Sequence, residues 1–318
     1  MITICSAPKP FADSHISIIQ HNAIRSWLAL GDQVEVLLLG DEPGIEEAAI
    51  ELAVPLFPLR SRAPSGAPLI SEMFQIARDV ATYPTLCYVN ADIILLDDFL
   101  PAVETVEGTL AEYLMVGNRW DMEIEEELSI EEGWIATLRR RMRENGKLHP
   151  PMGSDYFVFR HEQFKDIPAF ALGRAGWDNW MMYKARHEGI PVVDASAVIT
   201  VVHQAHDYAH LPGGEPHYRH AESDLNIELA GGYETMFRLR DANWLLSYDG
   251  LRQKGLADWE WPRKIEADWI AKVGAGFAAR FIRMLFHPRA AIAYLRHKMR
   301  GSNPGKAHRS SRERESRS

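Results

Sequence analysis

Residues 86–99 read LCYVNADIILLDDF, and this stretch decides the fold. Two apolar runs, 86–89 and 93–96, flank Asn90, Ala91 and Asp92. Short continuous apolar runs are typical of strands buried on both faces, as at the centre of an α/β sheet. A buried carboxylate needs a partner, and open α/β sheets bind ligands at the carboxyl ends of their strands. We therefore expect Asp92 to face a cation or a ligand; simple capping of the next turn is the alternative.

Strand-like and helix-like segments alternate before this stretch. The predicted strands are residues 2–5, 34–39 and 54–59, and the predicted helices are 14–30, 45–52 and 69–82. The alternation predicts an α/β fold with a mostly parallel central sheet flanked by helices. It also places the loops after the first two strands, which hold Ser6, Ala7 and Asp41, in the same crevice as Asp92. Neither a dinucleotide-binding G-x-G-x-x-G after the first strand nor a P-loop motif occurs, which disfavours both enzyme classes.

A second informative region covers residues 150–207. Asp155 precedes a predicted strand at 156–159, and Asp178 follows the glycine-rich loop 173–176 near the start of a predicted helix. A carboxylate there is stabilised by the helix dipole, so capping is the simpler interpretation of Asp178. Trp177 and Trp180 flank this acid, and either ring is a candidate for stacking on a sugar, with a place in the core as the alternative.

Two histidines follow the predicted strand 197–202. Imidazole is the commonest metal-binding side chain in proteins. His203 directly ends the apolar run and is a candidate to complete a metal site with Asp92, whereas His206 is a candidate for contact with a phosphate. An ordinary hydrogen-bonded histidine is the alternative for both.

Length and composition limit the number of domains and the expected cellular setting. The 318 residues allow one large domain or two small ones, and a hydrophobic content of 46% is ordinary for a soluble protein. Cys5 and Cys87 lie in apolar contexts, which favours a reducing, cytoplasmic setting over a disulfide framework. The pattern of a signal peptide is absent from the first residues, and no run approaches the roughly 20 apolar residues of a membrane span.

Charge divides the chain unevenly. The net charge is -9, but residues 271–318 carry 12 lysines and arginines against 2 acids, which leaves the rest of the chain strongly acidic. An acidic body argues against nucleic acid as a partner. We predict a catalytic domain at 1–270, basic amphipathic helices at 271–300 that lie on an anionic membrane surface, and a disordered tail at 301–318. Docking of the helices on the acidic body is the alternative.

Several of these stretches together resemble the A-type glycosyltransferase fold, which is also called the nucleotide-diphospho-sugar transferase fold. The chain resembles a bacterial branch of that fold. The matching stretches span roughly residues 1–232 and are 2–7, 34–42, 66–70, 88–93, 153–157, 176–180 and 203–207. Asn90 stands where the Asp-x-Asp signature of that family has its first aspartate. An asparagine oxygen can ligate a metal but brings no charge, so metal affinity is expected to be lower.

The resemblance implies a metal-dependent glycosyltransferase that moves a sugar from a nucleotide-diphosphate donor to a hydroxyl of a saccharide or lipid-linked acceptor, in cell-envelope or exopolysaccharide synthesis. It also implies a cytoplasmic enzyme, peripheral at the inner membrane. Mn²⁺ or Mg²⁺ would be held by Asp92, Asn90 and His203. Asp178 would be the general base, and Asp155 would bind sugar hydroxyls. The implied donor-binding residues are Ser6, Ala7, Asp41, Asn90, Trp177 and His206.

Three other functions stay open. A metal-dependent phosphohydrolase would use Asp92, His203, His206 and Asp207. A nucleotidyltransferase would have a loop rich in Gly and Arg after the first strand, and residues 6–10 contain neither. A non-catalytic sugar-binding module would bind its ligand without a metal.

Overall fold

The computed structural model describes residues 1–206 and 221–288, and the predictions for Asp207 and for residues 289–318 lie outside this part. Within it the chain forms nine helices and thirteen strands. The helices α1 to α9 are Ser14–Leu28, Ile45–Glu51, Ile70–Val80, Phe99–Glu107, Trp134–Asn145, Trp177–His187, Ala221–Leu229, Arg263–Val273 and Phe277–Phe286. The strands β1 to β13 are Ile2–Ser6, Val34–Leu39, Leu56–Phe57, Thr85–Val89, Ile93–Leu95, Leu114–Val116, Trp120–Met122, Lys147–Leu148, Tyr156–Arg160, Val192–Asp194, Val201–Gln204, Trp244–Ser247 and Gly250–Gln253.

Nine of these strands form the large central sheet, in the order β13-β12-β10-β6-β9-β4-β1-β2-β3. Strand β1 pairs parallel with β2 and β4, and β10 pairs parallel with β6 and β12. Strand β9 runs antiparallel between β4 and β6, and β13 runs antiparallel at one edge. The predicted α/β fold with a mostly parallel sheet flanked by helices is therefore confirmed.

Both faces of the large sheet are covered by helices. In β4, Leu86 and Tyr88 point into one core cluster, and Cys87 and Val89 point into the other, as the two-residue period of a strand requires. Helices α3, α6, α8 and α9 pack on the first face, and α1, α2 and α4 pack on the second. This burial on both faces explains why the strand is uniformly apolar in sequence.

The quoted stretch is divided between two sheets rather than forming one strand. After β4, the chain turns at Asn90–Asp92 and continues as β5 in a second sheet of order β5-β11-β7-β8. The Ile93 amide donates to the Asn90 carbonyl at 3.1 Å, which closes the turn. Asp92 therefore lies at the junction of the two sheets, where β11 also ends.

Several predicted boundaries differ from the structure. Strand β11 runs from Val201 to Gln204 rather than over 197–202, so His203 lies within the strand instead of following it. Helix α6 begins at Trp177, one residue after Gly176, whose φ of 110° lies in the left-handed region that favours glycine.

The predicted domain boundary at 270/271 falls inside α8. Ala271, Ala279 and Ile282 are buried in the same core cluster as α6, so α8 and α9 pack on the body in this structure. The division into domains stays a prediction that truncation can test. Among the described residues, none of the helices has the length and apolar character that crossing a bilayer requires.

Candidate active site

Strand pairing in the second sheet, β5-β11-β7-β8, holds Asp92 in position. Strand β11 runs antiparallel to β5, and the backbone N–H of Gln204 donates to the Asp92 carbonyl at 3.1 Å. The buried Gln204 amide is fixed in turn by Asn22 of α1 at 3.0 Å. This pairing brings His203 and His206, one on each side of Gln204, toward the Asp92 carboxylate.

The carboxylate of Asp92 is buried beside the Lys9 ammonium and the rings of His203 and His206. Its Oδ2 atom lies 3.1 Å from Nζ of Lys9, 3.1 Å from Nε2 of His206 and 4.0 Å from Nε2 of His203. Burial alone would raise the pKa of Asp92, but the charge of Lys9 and the adjacent His206 ring hold that pKa well below its usual range. Asp92 is therefore an anion in the folded protein.

His203 is oriented by a second acid. Its Nδ1 atom lies 3.0 Å from Oδ1 of Asp121, and the other oxygen of Asp121 lies 2.7 Å from Nδ1 of His149. A carboxylate only accepts here, so His203 donates from Nδ1 and keeps Nε2 as an acceptor that faces Asp92. Burial would raise the pKa of Asp121, but its bonds to the two histidines and the charge of Arg119 lower that pKa strongly.

These groups fit a divalent cation. One carboxylate oxygen of Asp92 and one ring nitrogen each of His203 and His206 lie within 4.8 Å of one another. Among the residues that the structure describes, the buried Oδ1 atom of Asp92 has no hydrogen-bond partner, which leaves it available to a ligand. A set of one carboxylate and two imidazoles suits Mn²⁺ better than Mg²⁺, which prefers oxygen ligands.

Asn90 lies in a different set of contacts from the one predicted. Its Oδ1 accepts from the Tyr88 hydroxyl at 2.8 Å, and its Nδ2 donates to Asp155 Oδ1 at 2.9 Å. These bonds explain why the structure does not support Asn90 as a metal ligand. His206, predicted as a phosphate contact, instead joins Asp92 and His203 in the candidate metal group.

Asp155 is bridged to the metal group by an arginine. Arg119 donates to Asp155 Oδ1 at 2.6 Å and to Asp121 Oδ1 at 3.0 Å. Asp155 directly precedes β9, and its backbone carbonyl accepts from the Asn90 amide at 2.9 Å. The acid predicted to bind sugar hydroxyls thus lies at the same sheet edge as Asp92, tied to it through Asn90 and Arg119.

Asp178 lies in the first turn of α6. Burial is the main reason that its pKa rises to about 6; backbone amides at the helix start lower it, and the negative charge of Asp155 adds to the rise. The carboxylate packs against Gly153, where a Cβ atom would overlap Oδ2 of Asp178. Asn179 holds the same loop by donating to the Met152 carbonyl at 2.9 Å. A carboxylate with this pKa can take up a proton near neutral pH.

The other predicted donor-binding residues have varied surroundings. The buried Ser6 hydroxyl donates to the Val89 carbonyl at 2.6 Å, and Ala7 packs against the first core cluster. Asp41 is exposed and forms an ion pair with Arg62. Trp177 is only 6% exposed, with ring centroids 5.2 Å from those of Tyr88 and Phe157, so its place in the aromatic core does not support stacking on a sugar. Trp180 is likewise buried and packs against Phe170.

Sequence reasoning missed four residues of this site, namely Lys9, Arg119, Asp121 and His149. Lys9 had one signal, because it follows the first strand, whose loop was expected to open into the crevice. Asp121 lay within an acidic run and was indistinguishable from a solvent-facing acid. Only the pairing of β7 with β11 shows that it faces His203.

Comparison with known proteins gives structural neighbours only. No protein-family model matches the sequence, and no curated protein matches it. Among solved structures, the chain is similar to glucosyl-3-phosphoglycerate synthase from Mycobacterium tuberculosis in complex with Mn²⁺, UDP and glucosyl-3-phosphoglycerate. The identity is 14% and the TM-score is 0.42, over 73% of this chain and 80% of that chain. A complex of the same enzyme with Mg²⁺ and UDP gives 15% identity and a TM-score of 0.43, over 73% and 80%.

A second similar structure is S. aureus TarS 1-349 in complex with UDP-GlcNAc. The identity is 16% and the TM-score is 0.41, over 65% of this chain and 60% of that chain. These neighbours are nucleotide-sugar glycosyltransferases, the class that the sequence resembles.

Proposed function

We propose that this chain is a metal-dependent glycosyltransferase that moves a sugar from a nucleotide-diphosphate donor to a hydroxyl acceptor. One observation carries the proposal: Asp155 interacts with the Asp178 carboxyl group, whose pKa is raised to about 6, and is linked through Arg119 to Asp92 of the candidate cation group. Asp92, His203 and His206 would hold the cation. Asp178 would accept the proton of the acceptor hydroxyl.

Each of these groups has a separate role in the proposed transfer reaction. The acceptor oxygen forms a bond to the anomeric carbon of the sugar, the bond from that carbon to the diphosphate oxygen breaks, and the hydroxyl proton passes to the Asp178 carboxylate. A bound divalent cation would neutralise the negative charge that develops on the leaving diphosphate. Arg119 holds Asp155 in place beside Asp178, where Asp155 is suited to bind sugar hydroxyls. Ser6, Ala7 and Asp41 stay candidates for donor contact on the loops after β1 and β2.

The metal site is tested by a charge-removing substitution. Asp92→Asn should weaken Mn²⁺-dependent binding of UDP by about tenfold or more, because a carboxylate oxygen is lost from the ligand set. Asp97→Asn is the matched control, since Asp97 lies on the same segment but is exposed and paired with Arg139. Calorimetric titration of UDP with and without Mn²⁺ measures the effect. Unchanged metal-dependent binding in folded Asp92→Asn would refute the assignment.

The base is tested by turnover. Asp178→Asn should lower transfer by about 10² or more while UDP binding persists, because the acceptor proton loses its acceptor. Release of the free sugar or of phosphate by the wild type without any acceptor would favour a phosphohydrolase instead. If turnover of Asp178→Asn stays within a few fold of the wild type, Asp178 is not the base and only caps the helix.

The envelope acceptor and the membrane contact belong to the same proposal. On α9, Phe277, Phe281 and Leu285 are 87%, 54% and 58% exposed, and the strongly basic residues 289–318 follow in sequence. Exposed apolar side chains beside basic residues are suited to an anionic lipid surface. Such a surface would bring a cytoplasmic enzyme to a lipid-linked acceptor at the inner membrane.

Vesicle co-sedimentation tests this contact. Phe281→Glu and Leu285→Glu should each reduce the bound fraction on vesicles that contain phosphatidylserine. Leu256→Glu is the matched control, because Leu256 is also exposed but belongs to the short helix Leu256–Asp258 rather than to α9. Equal binding of all variants would mean that α9 does not contact the membrane.

A further inference from the structure

Lys9 is held in place by its backbone. It lies between Pro8 and Pro10 after β1, and the following proline restricts its φ and ψ. Its N–H donates to Gln20 Oε1 at 2.6 Å, and its carbonyl accepts from Gln20 Nε2 at 3.0 Å. Gln20 is a buried residue of α1. The start of the Lys9 side chain is therefore fixed as firmly as a core residue.

The Lys9 ammonium bridges two members of the candidate metal group. Nζ lies 3.1 Å from Asp92 Oδ2 and 2.8 Å from His206 Nε2. An ammonium has three donors and no acceptor, so it can donate to Asp92 Oδ2 and, where the ring proton of His206 is on Nδ1, to His206 Nε2 as well. It thus acts on these two atoms as a bound cation would.

A divalent ion and this ammonium cannot share those ligands. An ion bonded to Asp92 Oδ2 and His206 Nε2 would lie within a few ångströms of Nζ, where two positive charges in a partly buried site repel strongly. The lysine stem is flexible, however, and the side chain is 29% exposed, so the ammonium has a route out of the site.

We propose that Lys9 is a built-in competitor of the metal, so that the Asp92–His206 pair binds either the Lys9 ammonium or a divalent cation. The inference rests on the metal site of the proposed function. Metal binding moves the ammonium away from Asp92, and the anionic diphosphate of a donor then provides it with a new partner. Lys9 is in this way a positioning residue that sets how tightly the free enzyme binds metal.

Mn²⁺ titration of the full chain without donor tests the competition. An ammonium that occupies the site in about nine molecules of ten weakens the apparent metal affinity about tenfold. Lys9→Met keeps the apolar stem and removes the charge, so it should bind Mn²⁺ about tenfold more tightly than the wild type. Lys9→Gln should shift affinity in the same direction and guards against a folding defect in one variant. Lys165→Met is the matched control, because Lys165 is exposed and pairs with Glu162.

The outcomes separate this inference from the proposed function. If the wild type and both Lys9 variants bind Mn²⁺ with equal affinity, the competition is overturned. If adding Asp92→Asn to each of them then abolishes Mn²⁺ binding, the metal site itself is supported. Absence of Mn²⁺ binding in folded Lys9→Met would overturn both, because the ligands would then hold no metal even without the ammonium. Tighter binding in the Lys9 variants alone supports the inference.

Discussion

Asp121 and His203 face each other in register on the parallel strands β7 and β11, with 3.0 Å between Asp121 Oδ1 and His203 Nδ1. The bond fixes which ring nitrogen of His203 carries the proton. It directs the other nitrogen toward Asp92, 4.0 Å away. A carboxylate behind a metal-binding imidazole strengthens the ligand and fixes its orientation.

Asp121→Asn should therefore weaken Mn²⁺ binding without removing any proposed ligand. Loss of such a supporting carboxylate costs about 10–100-fold in metal affinity. Glu123→Gln, an exposed acid just beyond β7, is the matched control. Calorimetry in the Lys9→Met background gives the highest sensitivity. Equal affinity of Asp121→Asn and the control would show that His203 is not a ligand.

Gly153→Ala should lower turnover with little change in Mn²⁺ affinity. The new Cβ atom would overlap Oδ2 of Asp178 and push the proposed base out of position. Misplacing a reacting group by about 1 Å can cost about 10² in rate. Gly108→Ala is the matched control, since Gly108 has a φ of -66° and its Cβ would lie 3.4 Å from the nearest atom. Wild-type turnover in Gly153→Ala would separate Asp178 from the chemistry.

The raised pKa of Asp178 predicts a dependence of stability on pH. Its folded pKa of about 6 exceeds the ordinary 3.8, so the folded state binds the proton more tightly than the unfolded state. This stabilising contribution is fully present below the ordinary pKa and is lost as pH rises through about 6.

Asp178→Asn should then become more stable relative to the wild type as pH rises between about 4 and 7, and this can be followed by thermal unfolding. Asp166→Asn, at an exposed position, should show no such trend. A constant difference in melting temperature across this range would contradict the raised pKa. Transfer activity should also fall as pH drops below about 6, because the base becomes protonated.

Truncation distinguishes docked helices from a separate C-terminal unit. A chain that ends at residue 288 keeps Ala271, Ala279 and Ile282 in the core, whereas a chain that ends at residue 270 loses them. Loss of this buried area costs about 3 kcal/mol, which lowers the melting temperature by about 6–12 °C. Equal melting temperatures for the two chains would mean that 271–288 contributes nothing to the stability of the body.

The sequence predicted the elements whose patterns are local. Apolar runs such as Thr85–Val89 locate buried strands, and the position of Asp92 at a strand end could be inferred from the same pattern. The division of residues 86–99 between two sheets was not predictable, because the apolar character of β4 and β5 is the same. Which sheet a short strand joins depends on distant partners, here β11 for β5.

The members of the site were harder to predict than its location. His203 was identified because it adjoins an apolar run, and His206 was recognised as polar but given another role. Lys9 and Asp121 act through long-range contacts that leave no mark on neighbouring residues. For the aromatic pair at 177 and 180 the sequence left sugar stacking and a place in the core open, and the low exposure of both rings agrees with the core.

The site joins segments that are far apart along the chain. Lys9 and Asp92 are 83 positions apart, and Asp92 and His206 are 114 apart. Closing loops of this length costs conformational entropy before the contacts can stabilise the chain, which favours their formation after the folding transition state. Stabilisation that is absent from the transition state slows unfolding and leaves the folding rate almost unchanged. An ion held by Asp92 and the two histidines would therefore slow unfolding and prolong the lifetime of the native state. Unfolding rates measured with and without Mn²⁺ would show this effect.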